Sequence, residues 1–227
     1  MRSGRADRRN QGGPGSPLTR IKICGCVSDD DAALALDAGA DAIGFIFAPS
    51  DRRVSIDVAG GIASRLPPFA TIFGVFVDPS DEDVRRAQEA IPGLRLQFSG
   101  DEPPALCERL AGSVYLKALH LGGPEGEASQ FARTAEYTRG IPLFDAWHPS
   151  KRGGTGITFA WSDLATALKP AFFAVSGGLT AENVGECIRL LRPNAVDVRS
   201  GVESGGRKDE TKVRAFVRAV READAQA

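Results

Sequence analysis

Two side chains of complementary acid–base character stand where an α/β protein places chemistry. Cys24 ends the run Ile21-Lys22-Ile23-Cys24 just before Gly25, and Asp145 ends Ile141-Pro142-Leu143-Phe144-Asp145. A thiol and a carboxyl facing each other across a bound molecule can take and give a proton. Positive surroundings would have to lower the thiol's pKa, and burial would have to raise the carboxyl's. Taken alone, Cys24 reads better as a small buried packing group, and the residues that follow are what shift that reading. Lys22 shares the strand face of Cys24 by alternation, so it either assists a thiolate or serves as an ion-paired lysine inside the fold.

Glycine loops supply a second signal. Ser176-Gly177-Gly178-Leu179 precedes a helix opened by Thr180-Ala181-Glu182-Asn183, and Ser200-Gly201-Val202-Glu203-Ser204-Gly205-Gly206 follows the last strand. Glycine lets backbone N–H groups approach an anion, and a helix N-terminus adds partial positive charge. One Gly-Gly is an ordinary turn. Two such loops after neighbouring strands make phosphate the better account, and Gly153-Gly154-Thr155-Gly156 would line the same pocket.

These residues need a scaffold, and from Ile21 onward one unit recurs: a short apolar strand, a Gly/Pro/Asp-rich loop, an amphipathic helix. The pattern predicts strands over 21–24, 42–47, 71–77, 94–98, 114–119, 141–145, 172–176 and 195–199. Helical spacing follows Ser28 and recurs over 57–66, 80–90, 102–110, 127–138, 162–168, 181–191 and 209–223. Eight βα repeats suit a doubly wound sheet or a closed barrel. The turn Cys24-Gly25-Cys26-Val27-Ser28 is not the Gly-x-Gly-x-x-Gly of a dinucleotide fold. The prediction is therefore α/β, a single (β/α)8 TIM barrel with its active site at the C-terminal ends of the strands. That rule adds Arg52, Arg53, Asp78, Gln97, Ser99, His120, Asp197 and Arg199 to the candidates.

Composition sets outer limits. The 227 residues carry a formal net charge of -1, which gives no general attraction to nucleic acid or an anionic membrane. Four cysteines without framework spacing and two histidines suggest reduced thiols, a cytoplasmic location and no metal cluster. Residues 1–20 are Arg-rich, with Gly12-Gly13-Pro14-Gly15, and read as a disordered leader, a start-site artefact or a cloning remnant. The catalytic domain is expected over 21–227.

Seven stretches, in order along the chain, resemble the phosphoribosylanthranilate isomerase family. They are Lys22-Ile23-Cys24-Gly25, Ala38-Gly39-Ala40-Asp41-Ala42-Ile43-Gly44-Phe45, Gly74-Val75-Phe76-Val77 and Leu96-Gln97 with Gly100-Asp101-Glu102. The others are Gly153-Gly154-Thr155-Gly156 with Thr158-Phe159 and Trp161, Ser176-Gly177-Gly178-Leu179-Thr180 with Glu182-Asn183-Val184, and Val196-Asp197-Val198 with Ser200-Gly201-Val202-Glu203. The resemblance implies a cofactor-free Amadori rearrangement in tryptophan biosynthesis, an aldose–ketose isomerisation of N-(5′-phosphoribosyl)anthranilate. Asp145 would be the general acid that opens the ribose ring and Cys24 the base that removes the C2′ proton. Arg52 would hold the anthranilate carboxylate, Asp197 would contact the sugar or its nitrogen, and Gly178, Ser200 and Gly201 would bind phosphate. The partner implied is this small molecule, with no nucleic acid or membrane, and the chain is expected to be a monomer.

Some positions depart from the family pattern: Ser99 for a histidine, Arg152 for an aromatic, Ile157 and Ala160 for a Lys/Asp pair, and Arg199 for a small residue. Arg199 either pairs with Asp197 or meets a substrate anion. His148 reads as a loop histidine, Trp161 as core, Asp101-Glu102 as a helix cap, and loops 2 and 6 as candidate lids. Two other readings stand beside the isomerase. One is a diverged barrel acting on another phosphorylated aminoaldose, disfavoured because two aspartates usually serve there and strand 1 here ends in Cys24. The other is a non-catalytic phosphosugar-binding paralogue, which would need neither Cys24 nor Asp145.

Overall fold

The computed structural model describes residues 18–121, 123, 126–146, 161, 164 and 170–226. Its strands are β1 (Arg20–Cys24), β2 (Ala42–Ile46), β3 (Thr71–Phe76), β4 (Arg95–Phe98), β5 (Tyr115–Leu121), β6 (Gly140–Ala146), β7 (Ala174–Val175) and β8 (Ala195–Val198). They close into a barrel in sequence order, every neighbouring pair parallel and β8 returning to β1. Helices α1 (Asp29–Asp37), α2 (Ile56–Ala63), α3 (Asp81–Ala90), α4 (Pro104–Ala111), α5 (Glu127–Arg133), α6 (Val184–Leu191) and α7 (Glu210–Ala225) lie between or after the strands. The helix predicted over 162–168 falls almost wholly outside the described residues.

Local chemistry explains where the helices begin. Ser28, Ser55 and Ser80 each accept a hydrogen bond from the backbone three residues on, at 3.2, 3.2 and 3.1 Å, and Asp209 does the same for Lys212 at 3.1 Å. The glycine at the end of α4, Gly112, takes the left-handed conformation that stops a helix. Along each strand, alternation separates the outer core from the barrel interior. Ile21, Ile23, Val196 and Val198 pack outward against helices, while Lys22, Cys24 and Asp197 point inward.

Several element ends shift by a few residues, as where the strand expected over 172–176 shortens to Ala174–Val175 and the helix expected over 181–191 begins at Val184, and four further details stand out. Strand β1 starts one residue earlier, and Thr19 before it is anchored, its hydroxyl donating to Asp224 at 2.6 Å. The helix expected over 127–138 ends at Arg133 and continues as a 3-10 turn, Thr134–Glu136. Between β8 and α7, a 3-10 turn (Ser200–Val202) leads into a small antiparallel hairpin, β9 (Glu203–Ser204) with β10 (Arg207–Lys208). Asp101-Glu102 does not cap α4. Glu102 is buried, accepts the amides of Asp78 at 2.9 Å and Gly100 at 3.0 Å, and pairs with Lys117 at 2.9 Å. A buried carboxylate requires such compensation, and the result ties the loops after β3 and β4 together beneath the mouth.

Candidate active site at the C-terminal mouth of the barrel

Strand register decides what meets at the mouth. Lys22 lies opposite Asp197 across the β1–β8 seam, and Cys24 lies opposite Gly44 across β1–β2. Lys22 Nζ donates to Asp197 Oδ2 at 2.9 Å, with both side chains almost fully buried. A Cβ at Gly44 would stand 2.9 Å from Cys24 Sγ and 3.2 Å from Lys22 Nζ, so the glycine makes the space that thiol and ammonium occupy. Across the mouth, Gly177 with φ +86° gives the same allowance to Asp145, whose Oδ1 would lie 2.8 Å from a Cβ there.

A cavity of about 440 Å3 opens at this end. Cys24, Asp145, Asp197, Gly178 and Ser200 line it, together with Gln97, Ser99 and Arg199. Gly201 supports the wall from behind: any side chain there would collide with the Leu179 carbonyl, so the two glycine loops abut. Arg52 stands at the rim. Its guanidinium makes a two-pronged contact with Glu203, Nε to Oε1 at 3.2 Å and Nη2 to Oε2 at 3.4 Å. Arg53 is exposed beside it, and Asp78 does not reach the cavity; its Oδ1 accepts the Asp101 amide at 2.8 Å. Gln97 donates to Ser99 Oγ at 3.1 Å, and His120 Nδ1 lies 3.9 Å from Asp145 Oδ2. The loop-6 candidates Arg152, Gly153, Gly154, Thr155, Gly156, Ile157 and Ala160, with His148, lie outside the described residues.

Electrostatics meets one expectation and reverses another. Burial pushes the Asp145 carboxyl above its ordinary range, against the opposing pull of His120 and a hydrogen bond from Ser176. A carboxyl raised in this way keeps its proton to higher pH, which suits an acid. Cys24 goes the other way from expectation. Burial raises its pKa, and the positive charges of Lys22 and Lys208 offset only part of that. Lys22 itself is raised, because Asp197 and Cys24 outweigh the burial that would lower it. Lys22 is thus ion-paired and also acts on the Cys24 thiol, so its two readings hold together, and Asp197 takes Lys22 as its cation. Arg199 instead reaches Ser50 Oγ at 3.2 Å, with Asp51 at 3.7 Å.

Two contributors were not legible in sequence. Lys208, 1 % exposed at its side chain, donates to the Cys24 carbonyl at 2.6 Å and to Glu203 Oε1 at 2.9 Å, fastening the end of β1 to the loop after β8. No pattern around Lys208 signals this. Gly44 is the other, visible only as one glycine among many until register sets it against Cys24. Trp161 and the remaining cysteines Cys26, Cys107 and Cys187 belong to the core, as expected. Among the described residues no cluster of three or more His, Cys, Asp or Glu side chains is placed to hold a metal, and no helix is long and apolar enough to cross a membrane.

A parallel eight-stranded barrel with a thiol, a raised carboxyl and two abutting glycine loops at one mouth defines the chain as a (β/α)8-barrel enzyme. Residues 21–219 match the model of the N-(5′-phosphoribosyl)anthranilate isomerase family. The chain belongs to that family. It is 48 % identical over 210 residues to the N-(5′-phosphoribosyl)anthranilate isomerase of Leptothrix cholodnii, covering 92 % of this chain and 93 % of that one. The crystal structure of phosphoribosyl anthranilate isomerase from Thermotoga maritima superposes with a TM-score of 0.79 at 33 % identity, over 90 % of this chain and 100 % of that one. A phosphoribosyl anthranilate isomerase solved with reduced 1-(o-carboxyphenylamino)-1-deoxyribulose 5-phosphate matches with a TM-score of 0.77 at 32 % identity, covering 90 % and 100 % of the two chains.

Proposed function

We propose that this chain converts N-(5′-phosphoribosyl)anthranilate to 1-(o-carboxyphenylamino)-1-deoxyribulose 5-phosphate, with Asp145 as acid and Cys24 as base. Asp145 gives its proton to the ribose ring oxygen as the C1′–O bond breaks. The nitrogen lone pair forms a C1′=N iminium. Cys24, as thiolate, removes the C2′ proton, and the C–H electrons become the C1′=C2′ bond of an enolamine. Protonation at C1′ and loss of the C2′ hydroxyl proton give the aminoketone. The sequence of steps is redox-neutral, so one base and one acid suffice.

The observation that carries this reading is that Cys24 and Asp145 line one cavity, with Asp145 raised in pKa by burial. The raised thiol is compatible with it. The iminium formed in the first step places a positive charge beside Cys24, which favours the thiolate when it is needed. Asp197, already paired with Lys22 through Oδ2, would use its other oxygen on the sugar or the amine. Gly178, Ser200 and Gly201 would cradle the phosphate from the backbone, and Arg52 would face the aryl carboxylate.

The test is loss of phosphoribosylanthranilate fluorescence, with substrate generated in situ from anthranilate and phosphoribosyl pyrophosphate by the transferase that forms it. Wild-type turnover is expected, with a loss of roughly a hundredfold to ten-thousandfold in Cys24→Ala and Asp145→Asn. A folded wild type without turnover would sink the reaction. Turnover that survives Cys24→Ala would sink the assignment of the base.

We infer further that one chain is the working unit, since its own eight strands close the barrel that carries the mouth, and that the protein is cytoplasmic, in keeping with four free cysteines. Light scattering reads the mass directly. A dimer would point to the opposite mouth, where Phe69 and Phe172, 96 % and 64 % exposed, flank an apolar cavity.

A further inference from the structure

We propose that Arg199 determines specificity for the aryl end of the substrate, its guanidinium receiving the ring carboxylate beside Arg52. This rests on the isomerase reading above and adds to it a residue outside the acid–base pair.

Parity on the last strand places Ala195, Asp197 and Arg199 on the barrel's inner face, while Val196 and Val198 are buried on the outer one. Arg199 lines the cavity, and its side chain is only 15 % exposed. Its direction follows from Gly25, the residue after Cys24. A Cβ at Gly25 would lie 3.3 Å from Arg199 Cγ, 3.4 Å from Arg199 Cδ and 3.4 Å from Arg52 Cβ. The stem of Arg199 therefore crosses the end of β1, and that of Arg52 meets it there. Beyond Gly25 the guanidinium reaches Ser50 Oγ at 3.2 Å and stands 3.7 Å from Asp51 Oδ1. Strand β8 lies between β7 and β1 in the barrel, so a side chain that crosses β1 toward Ser50 heads away from the glycine loop after β7. Phosphate on the glycine loops and a carboxylate on Arg199 would then sit at opposite ends of one extended molecule.

The two arginines are held differently. Arg52 is gripped by Glu203 through two contacts, with both side chains largely buried. One acidic neighbour of Arg199, Asp51, is 66 % exposed and at a longer distance, and an exposed pair of that kind holds weakly. A substrate carboxylate can displace it. The planar guanidinium fork matches a carboxylate on an aromatic ring, which is itself held flat.

Two probes isolate the carboxylate: ribose 5-phosphate reductively aminated with anthranilate, and the same sugar phosphate reductively aminated with aniline. Binding of each is measured by calorimetry to the wild type and to Arg199→Ala, Arg199→Lys and Asp51→Asn, alongside wild-type turnover. Wild type is expected to prefer the anthranilate probe. Arg199→Ala should lose about tenfold to a hundredfold of that preference while holding the aniline probe unchanged. Arg199→Lys should recover part of the loss, and Asp51→Asn should keep or tighten the anthranilate probe. Equal weakening of both probes in Arg199→Ala, an unchanged preference, or weakening of both in Asp51→Asn would each overturn the proposal, the last marking Arg199 as a latch on loop 2. Failure of the isomerase reading shows separately, as absent wild-type turnover.

Discussion

Lys22 and Asp197 meet at 2.9 Å across the seam where the barrel closes, one pleat below Cys24 on the same inner face. The pair fixes the charge beneath the thiol. Lys22→Met would leave the Asp197 carboxylate buried without its cation. The expected cost is about 3–5 kcal/mol in urea unfolding. The double variant Lys22→Met/Asp197→Leu should regain much of that stability while remaining inactive, and a double variant no more stable than the single would show that the pair is not the source.

Gly44 is the second neighbour of Cys24. An alanine there would press on Sγ at 2.9 Å and on Lys22 Cε at 3.2 Å, so thiol and ammonium would have to shift from their present positions. Gly44→Ala should lower stability by about 1–3 kcal/mol, as overpacking does. Turnover should fall more than tenfold with little change in KM, because the thiol is displaced rather than the binding surface. Unaltered kcat would remove Gly44 from the site.

The pH dependence follows from two raised groups. Cys24 is held above the ordinary thiol range and Asp145 above the ordinary carboxylate range, both chiefly by burial. The rate needs Cys24 deprotonated and Asp145 protonated. Below both pKa values the rate climbs with pH as thiolate forms, and above both it falls as protonated Asp145 disappears, with a plateau between. Alkylation of the free enzyme by iodoacetamide should reach Cys24 alone and only at alkaline pH, since burial pushes Cys26, Cys107 and Cys187 up to about 12 and seals them in the core. Fast labelling of Cys24 at neutral pH would contradict the raised thiol.

Away from the mouth, Glu108 anchors the start of β6. Its carboxylate accepts the Arg139 amide at 2.9 Å and the Tyr115 and Thr138 hydroxyls at 3.0 Å each, and it pairs with the Arg139 guanidinium. These contacts outweigh its desolvation and bring its pKa down to about 2. A lowered carboxylate stabilises the fold above its unfolded pKa, and that stability is lost as the pH falls through the folded value. Glu108→Gln should cost about 1–2 kcal/mol at neutral pH, a figure discounted for partial exposure, and little as the pH drops to about 2 and below. Melting curves of wild type and variant across acid pH should converge there. Curves that stay parallel would refute the linkage.

The repeat, the barrel, the two mouth residues and the loops that suit phosphate were all legible in the order of the amino acids. Those properties reside in local patterns: alternation in Ile21-Lys22-Ile23-Cys24, serine caps at Ser28, Ser55 and Ser80, and glycines after particular strands. The family, too, was legible, because its motifs lie in order along the chain. The remaining contacts depend on register and burial, which no local pattern encodes. Closure of β8 on β1 chose Lys22 rather than Arg199 as the partner of Asp197. Arg52, expected at the carboxylate, was found in the grip of Glu203, and Lys208 came from a hairpin that no periodicity announces. Burial also reversed the sign anticipated for Cys24: desolvation of a thiolate inside a barrel outweighs two nearby ammonium groups, and that balance exists only once the chain is folded.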